Sequence, residues 1–189
     1  MVPPATFIAA AEEAGLVDQI DRIIIEKALD TLEELRATGV DLPVISVNTS
    51  PSTLRDPHLA DRLIQQIKAR HLEASNLTIE VLECTLVKDD DIILHMIETL
   101  SAAGFSIVLD NFGTRYPSMS NLSRLRLNAI KLDKSLIKPV PDARADSIIS
   151  ALVTLSRNLD MHVVAEGVET PGHLETVRRL KRDVLQGRP

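Results

Sequence analysis

The sequence predicts an α/β fold on parallel strands, and three observations predict it. Helical and strand patterns alternate along the chain, the strands are apolar on both faces, and polar residues collect at strand ends. A chain of 189 residues, 44% hydrophobic and 25% charged, has the make-up of a packed globular domain rather than a disordered one. One domain spanning residues 1–189 is expected.

Each element has its own signal. Ile20, Ile23, Ile24, Leu29, Leu32 and Leu35 recur at helical spacing, so the spacing predicts a helix over about Asp18 to Ala37 with Gly39 as the stop. After Pro43, the β-branched run from Val44 to Asn48 reads as a strand, and Thr49-Ser50-Pro51-Ser52 as a loop that continues neither strand nor helix. The unit then repeats: helix near Pro57 to Arg70, strand Leu77 to Glu83; helix Asp89 to Ala102, strand Ser106 to Asn111. A short helix after Pro117 precedes the strand Ala129 to Asp133, and the helix Ala143 to Asn158 precedes the strand His162 to Gly167. The helix Gly172 to Lys181 and the strand-like piece Asp183 to Gln186 close the series.

Such strands imply right-handed parallel crossovers, which either an open doubly wound sheet or a (β/α) barrel satisfies. Asn48, Glu80, Asp110, Asp133 and Glu166 fall in or at the C-terminal part of five different strands. That distribution favours a barrel, whose strand ends converge on one mouth, over an open sheet with one switch point. Neither GxGxxG nor GxxxxGK[ST] occurs.

Composition excludes several classes. Lys+Arg number 21 against 27 Asp+Glu, a net charge of −6 with no basic tract, which speaks against DNA as a partner. The lone Cys84 rules out an internal disulfide framework and fits a reducing compartment, so the cytoplasm is expected. No stretch reaches the length of a membrane span. Cys84 reads as an inert buried thiol. His58, His71, His95, His162 and His173 lack ligand spacing and read as surface or boundary residues, and Asp89-Asp90-Asp91 reads as a helix start.

A carboxylate inside a strand is expensive unless it is paired, protonated or metal-bound. Glu80 and Glu83, Asp110, and Glu166 and Glu169 each follow an apolar run, and with Asn48 they make an oxygen-rich set. Oxygen ligands without His or Cys suit Mg²⁺ or Mn²⁺, and two such ions are a recurring solution for phosphodiester hydrolysis. Lys131 stands two residues before Asp133, so on a strand both point the same way. A lysine among carboxylates could orient or deprotonate a water. Taken singly, Asn48 reads sooner as a turn or cap residue than as a ligand and Lys131 sooner as a surface lysine, while Glu83 and Glu169 read equally as solvated edge charges; the order of the motifs reverses the first two.

In order along the chain stand Ser46-Val47-Asn48-Thr49-Ser50, Ile79 to Glu83, Asp110 to Tyr116, Ile130 to Asp133, Val163 to Thr170 and Gln186-Gly187. Preceded by Pro4 to Leu16, this series resembles the EAL domain, the bacterial cyclic di-GMP phosphodiesterase module with a modified (β/α)8 TIM-like barrel. The resemblance implies two Mg²⁺ or Mn²⁺ ions held by Asn48, Glu80, Asp110 and Glu166, with Asp110 bridging. It implies Lys131 as general base or water-orienting group, Asp133 and Glu169 supporting water and metal positions, and Gln186 contacting the attacking water or the lysine. Glu83 is implied to anchor the loop that begins at Phe112, Gly113 and Thr114. The implied reaction is attack of a metal-activated hydroxide on one phosphodiester of cyclic di-GMP, giving linear pGpG.

Departures from the family pattern shape the expectation. The strand bearing the Glu-Ala-Leu motif is not in this sequence, so a barrel lacking its first strand and its last helix is expected. Asn111 replaces the second Asp of the Asp-Asp pair; it keeps a carbonyl oxygen for the metal but removes a charge. Arg115 and Pro117 replace a Gly and a Ser. The expected function is therefore a phosphodiesterase with weak or no turnover; the alternative is a cyclic di-GMP receptor or protein-interaction module. Open strand edges suggest a homodimer or an upstream segment as cover, and the family often carries diguanylate cyclase or sensor domains upstream.

Overall fold

The computed structural model describes residues 4–40, 42–87, 90–114, 119–139, 142–179 and 184–185. The chain forms two compact units, residues 1–80 with 90–106, and residues 81–89 with 107–189. The strands are β1 (Ile45–Thr49), β2 (Leu77–Leu82), β3 (Ser106–Phe112), β4 (Ala129–Leu132), β5 (His162–Ala165) and β6 (Val184–Leu185). Their order in the sheet is their order in the chain.

The first unit contains α1 (Pro4–Glu13), α2 (Val17–Ala37), α3 (Pro51–Leu54), α4 (Leu59–Ala69) and α5 (Asp91–Ala102). Leu29, Leu32, Leu54, Leu59, Leu63, Leu77, Ile97 and Leu100 are fully buried there, each stabilising by about 1.5–3 kcal/mol. Asp90 caps α5 by accepting from the amides of Ile92 and Ile93, which bears out the expected helix start; Asp89 lies outside the described residues. The turn expected after β1 is instead the short helix α3. Pro51 takes its first position, where no amide hydrogen is needed, and Ser50 caps it by accepting from Thr53 N.

The rotation of α2 also differs from the apolar periodicity. Ile23 and Ile24 are 53% and 45% exposed, while the buried row is Asp21, Ile25, Ala28, Leu29 and Leu32. Ile25, Ala28, Leu29 and Leu32 make that row the more continuous apolar stripe, whereas Ile23 shares its side of the helix with Lys27, Asp30 and Glu34.

The second unit contains α6 (Met119–Arg124), α7 (Lys134–Ile137), α8 (Ala143–Asn158) and α9 (Pro171–Arg179). β3 with β4, β4 with β5 and β5 with β6 pair in parallel, as the helical crossovers demand. Ile107, Leu109, Ile130, Leu132, Ile137, Val163 and Ala165 form its core. Among the described residues no helix is long and apolar enough to cross a membrane.

Candidate active site

β3, β4 and β5 position the candidate site residues Asp110, Asn111, Lys131 and Glu166 of the second unit. In register, Lys131 lies opposite Val164 of β5, and Leu132 opposite Ala165, so Glu166 begins where β4 ends. Between β3 and β4 the register slips: Leu109 pairs with Ile130 and Phe112 with Leu132, leaving Asp110 and Asn111 against the single residue Lys131. Such a bulge re-aims the side chains it carries. Its second residue, Asn111, has φ +57°, a left-handed conformation that Asn adopts more readily than most residues.

The outcome is an ionic trio in which Lys131 and Asp110 are buried and Glu166 is half-buried. Lys131 Nζ stands 2.8 Å from Glu166 Oε1 and 3.2 Å from Asp110 Oδ1, with Lys131 and Asp110 each 8% exposed. Asp110 Oδ1 is buried and accepts no hydrogen bond, so its link to the ammonium is electrostatic rather than directed. Two of the strand-end acids, Asp110 and Glu166, thus converge on the Lys131 ammonium. Among the described residues, no group of three or more His, Cys, Asp or Glu side chains comes close enough to hold a metal ion.

Beside the trio, Glu83 ties down the chain that leaves β3. It is 1% exposed and accepts from Gly113 N at 3.1 Å, Thr114 N at 3.0 Å and Thr114 Oγ1 at 3.1 Å. Its solvated-edge alternative is thereby excluded. Thr114 Oγ1 lies 3.0 Å from Asn111 O as well, closing the turn on the bulge, and Phe112 is buried beneath it. Gly113 has φ +98°, and a Cβ there would overlap Leu136 Cδ1. Gly167, after Glu166, has φ +71°, and its Cβ would lie 2.7 Å from Lys134 Cβ. Both loops thus pack without clearance on α7.

Asp133 does not share a strand with Lys131, because β4 ends at Leu132; the period-two relation fails there. Asp133 instead caps α7, accepting from Ser135 N at 2.8 Å. Burial pushes its carboxyl up, but the Ser135 hydroxyl and amide outweigh that and hold it below the usual range. Glu169 is exposed, and its backbone N donates to Nδ1 of His173 at 3.3 Å. His173 is 7% exposed, more buried than the surface or boundary position expected; its backbone N donates to Thr170 Oγ1 at 3.2 Å, which caps α9, and its ring accepts from Glu169 N. The Thr-Pro-x-His spacing carried the signal of that cap. Cys84 is exposed rather than buried, on the tight turn that begins at Glu83.

In the first unit, Asn48 is exposed between buried Val47 and Thr49 on β1, and Glu80 is half-buried on β2. Gln186, Arg115 and Pro117 lie outside the described residues.

The EAL domain family model matches residues 1–188. The chain is 34% identical over 188 residues to cyclic di-GMP phosphodiesterase NbdA of Pseudomonas aeruginosa, covering 99% of this chain and 24% of that protein. It is 33% identical over 187 residues to oxygen sensor protein DosP of Escherichia coli, covering 98% of this chain and 23% of that protein. The chain therefore spans about a quarter of the length of these curated relatives. Among solved structures, PaMucR phosphodiesterase in its c-di-GMP complex superposes with a TM-score of 0.90 at 35% identity, covering 98% of this chain and 76% of that one. The EAL domain of FimX from Pseudomonas aeruginosa, bound to c-di-GMP, gives 0.89 at 25% identity, covering 98% and 74%. With its motifs in order and its TIM-barrel-like α/β fold, this chain belongs to the EAL domain family.

Proposed function

We propose that this chain hydrolyses cyclic di-GMP with the aid of Mg²⁺ or Mn²⁺, and that it does so slowly. The observation that carries this reading is the Lys131 ammonium held between Asp110 and Glu166. The donor set fits a hard cation in kind: two carboxylates converge, and Asp110 Oδ1 is buried without a hydrogen bond. Asp110 and Glu166 would hold the ion, with Asn48, Glu80, Asn111 and Asp133 assigned from the motif match rather than from a distance. A bound divalent ion supplies Lewis-acid polarisation of a phosphodiester and lowers the pKa of water.

The chain's own groups do the rest. Lys131 offsets one of the two carboxylate charges; as an ammonium it orients the attacking water by donating to it, and it accepts that water's proton only as the free amine, after passing its own proton on. Water oxygen bonds to phosphorus as one ester P–O bond breaks, and the released 3′ oxygen takes a proton, which gives linear pGpG. Glu83 holds Gly113 and Thr114 in place, while Glu169 and Gln186 are assigned to the water. Asn111 removes one negative charge beside Asp110, and this is the reason turnover is expected to be low.

Chromatography of cyclic di-GMP incubated with the chain and Mn²⁺ tests the proposal, with Glu166→Gln as the control. Slow, metal-dependent pGpG formation that the control abolishes is expected. Tight calorimetric binding of cyclic di-GMP in Ca²⁺ with no pGpG in Mn²⁺ would favour the receptor reading, which Asn111 also supports. Absence of both binding and product would remove both readings. Asn111→Asp suits the left-handed backbone, so it should raise turnover by no more than about threefold on its own, since one regained charge is only part of the electrostatic set.

A further inference from the structure

Asp21 is the one charged residue in the buried row of α2, and it is 7% exposed. A carboxylate in that place is costly unless strong hydrogen bonds meet it. Its Oδ2 accepts from Ser50 N at 2.8 Å and from Thr53 Oγ1 at 2.7 Å. Both donors lie on the turn that leaves β1, and Ser50 follows Asn48 by two residues.

Further bonds stiffen the same turn. Thr53 Oγ1 accepts from Ser50 Oγ at 3.1 Å, and Ser50 Oγ accepts from Thr53 N at 3.3 Å. Ser50 Oγ and Ser52 Oγ are 2.9 Å apart. Hydroxyl-to-hydroxyl donation therefore runs Ser50 to Thr53 and ends on the Asp21 carboxylate, which fixes the direction of each O–H. On the other side of Asn48, Val47 is buried, and Thr49 between Asn48 and Ser50 is buried as well. With its neighbours packed and Ser50 N held by a charge, the exposed Asn48 side chain has a fixed root.

We propose that Asp21 is a positioning residue for Asn48: through Ser50 and Thr53 it holds the end of β1 so that the Asn48 amide presents its oxygen in one orientation. The inference rests on the reading of Asn48 as a ligand given under Proposed function. A residue that holds a ligand in place contributes affinity although it touches no ion; loss of such partners lowers metal affinity about 10–100-fold.

The test pairs two readouts in the full chain. The Mg²⁺ concentration for half-maximal cyclic di-GMP hydrolysis is measured for wild type, Asp21→Asn, Asn48→Ala and the double variant. The Asn48 side-chain amide signals are followed by ¹H–¹⁵N NMR in metal-free protein. Asp21→Asn and Asn48→Ala should each raise the Mg²⁺ requirement about tenfold, and the double variant should be no worse than Asn48→Ala. The Asn48 signals should shift or broaden in Asp21→Asn. Thr53→Val removes only the hydroxyl donor and serves should Asp21→Asn fail to fold, while Thr53→Ser should behave as wild type. Additive effects in the double variant, or unmoved Asn48 signals in a folded Thr53→Val protein, would overturn the inference. A wild-type chain without metal-dependent hydrolysis would remove the phosphodiesterase reading alone, and the Asn48 signals would still decide the role of Asp21.

Discussion

Glu83 and Asp110 are both carboxylates buried in the second unit, and they are satisfied by opposite means. Glu83 receives two backbone N–H groups and a hydroxyl, all from residues 113 and 114. Asp110 receives no hydrogen bond at its buried Oδ1 and faces an ammonium instead. Directed bonds from the backbone commit a carboxylate to one geometry, whereas an undirected ion pair leaves its lone pairs available to another cation. The difference separates a carboxylate committed to one turn from a carboxylate still open to another cation.

Lys131→Met should break this contrast most severely. It leaves the buried Asp110 and the half-buried Glu166 without a counter-charge, so stability at neutral pH should fall by about 3 kcal/mol. Turnover should fall about 10²–10⁴-fold with the loss of the water-handling group. Urea unfolding and pGpG formation read the two effects. Lost activity with unchanged stability would show that the trio is solvated in solution, and the contrast with Glu83 would dissolve.

Glu83→Gln should come next. The amide keeps one acceptor but surrenders the charge that strengthens the bonds to Gly113 and Thr114, which is worth about 1–3 kcal/mol in unfolding. Turnover should fall about tenfold as the turn loosens. Slower turnover together with faster amide exchange at Gly113 and Thr114 is the expected pair; unchanged exchange would mean that Glu83 does not hold the turn.

Gly113→Ala sharpens the same comparison from the other side of the turn. The left-handed φ of +98° and the overlap with Leu136 Cδ1 together should cost about 1–3 kcal/mol. Leu136→Ala in the same chain should recover part of that loss, because it removes the clashing methyl groups. A double variant no better than Gly113→Ala would assign the whole penalty to the backbone.

The smallest effect concerns acid. The Asp133 carboxyl is held below its ordinary value of 3.8 because its bonds to Ser135 outweigh burial. A depressed folded pKa means that its contribution is complete above about 3.8 and is lost as pH falls through the folded value. Thermal melting followed between pH 5 and 3 should therefore drop less steeply for Asp133→Asn than for wild type. Identical slopes would show that the cap bond contributes nothing.

Much of this was legible in the residues. The strands, the acids at their ends and the loop-anchoring Glu83 follow from period, apolarity and motif order. Where the structure differs, the partner is local at Asp133 and His173, two to four residues away, and distant only at Asp21, about thirty residues away. Asp133 continues an apolar strand pattern, yet its carboxylate closer to Ser135 N makes it a cap. His173 lacks ligand spacing, yet its ring is buried where it accepts from Glu169 N. Ile23 and Ile24 are apolar yet face outward, because the helix buries the row of Ile25, Ala28, Leu29 and Leu32, in which Asp21 is held by bonds to Ser50 and Thr53.

By itself the sequence determined the alternation of helices and strands and which carboxylates stand at strand ends, since hydrophobic period and local capping chemistry act over a few residues. Only the tertiary structure decided which of those carboxylates share a cation and which are spent on a turn. That choice depends on strand register, where the bulge opposite Lys131 sets Asp110 and Asn111 against a single residue. It depends also on Glu83 reaching across to the amides of residues 113 and 114. Register and reach are properties of paired strands, and no single segment contains them.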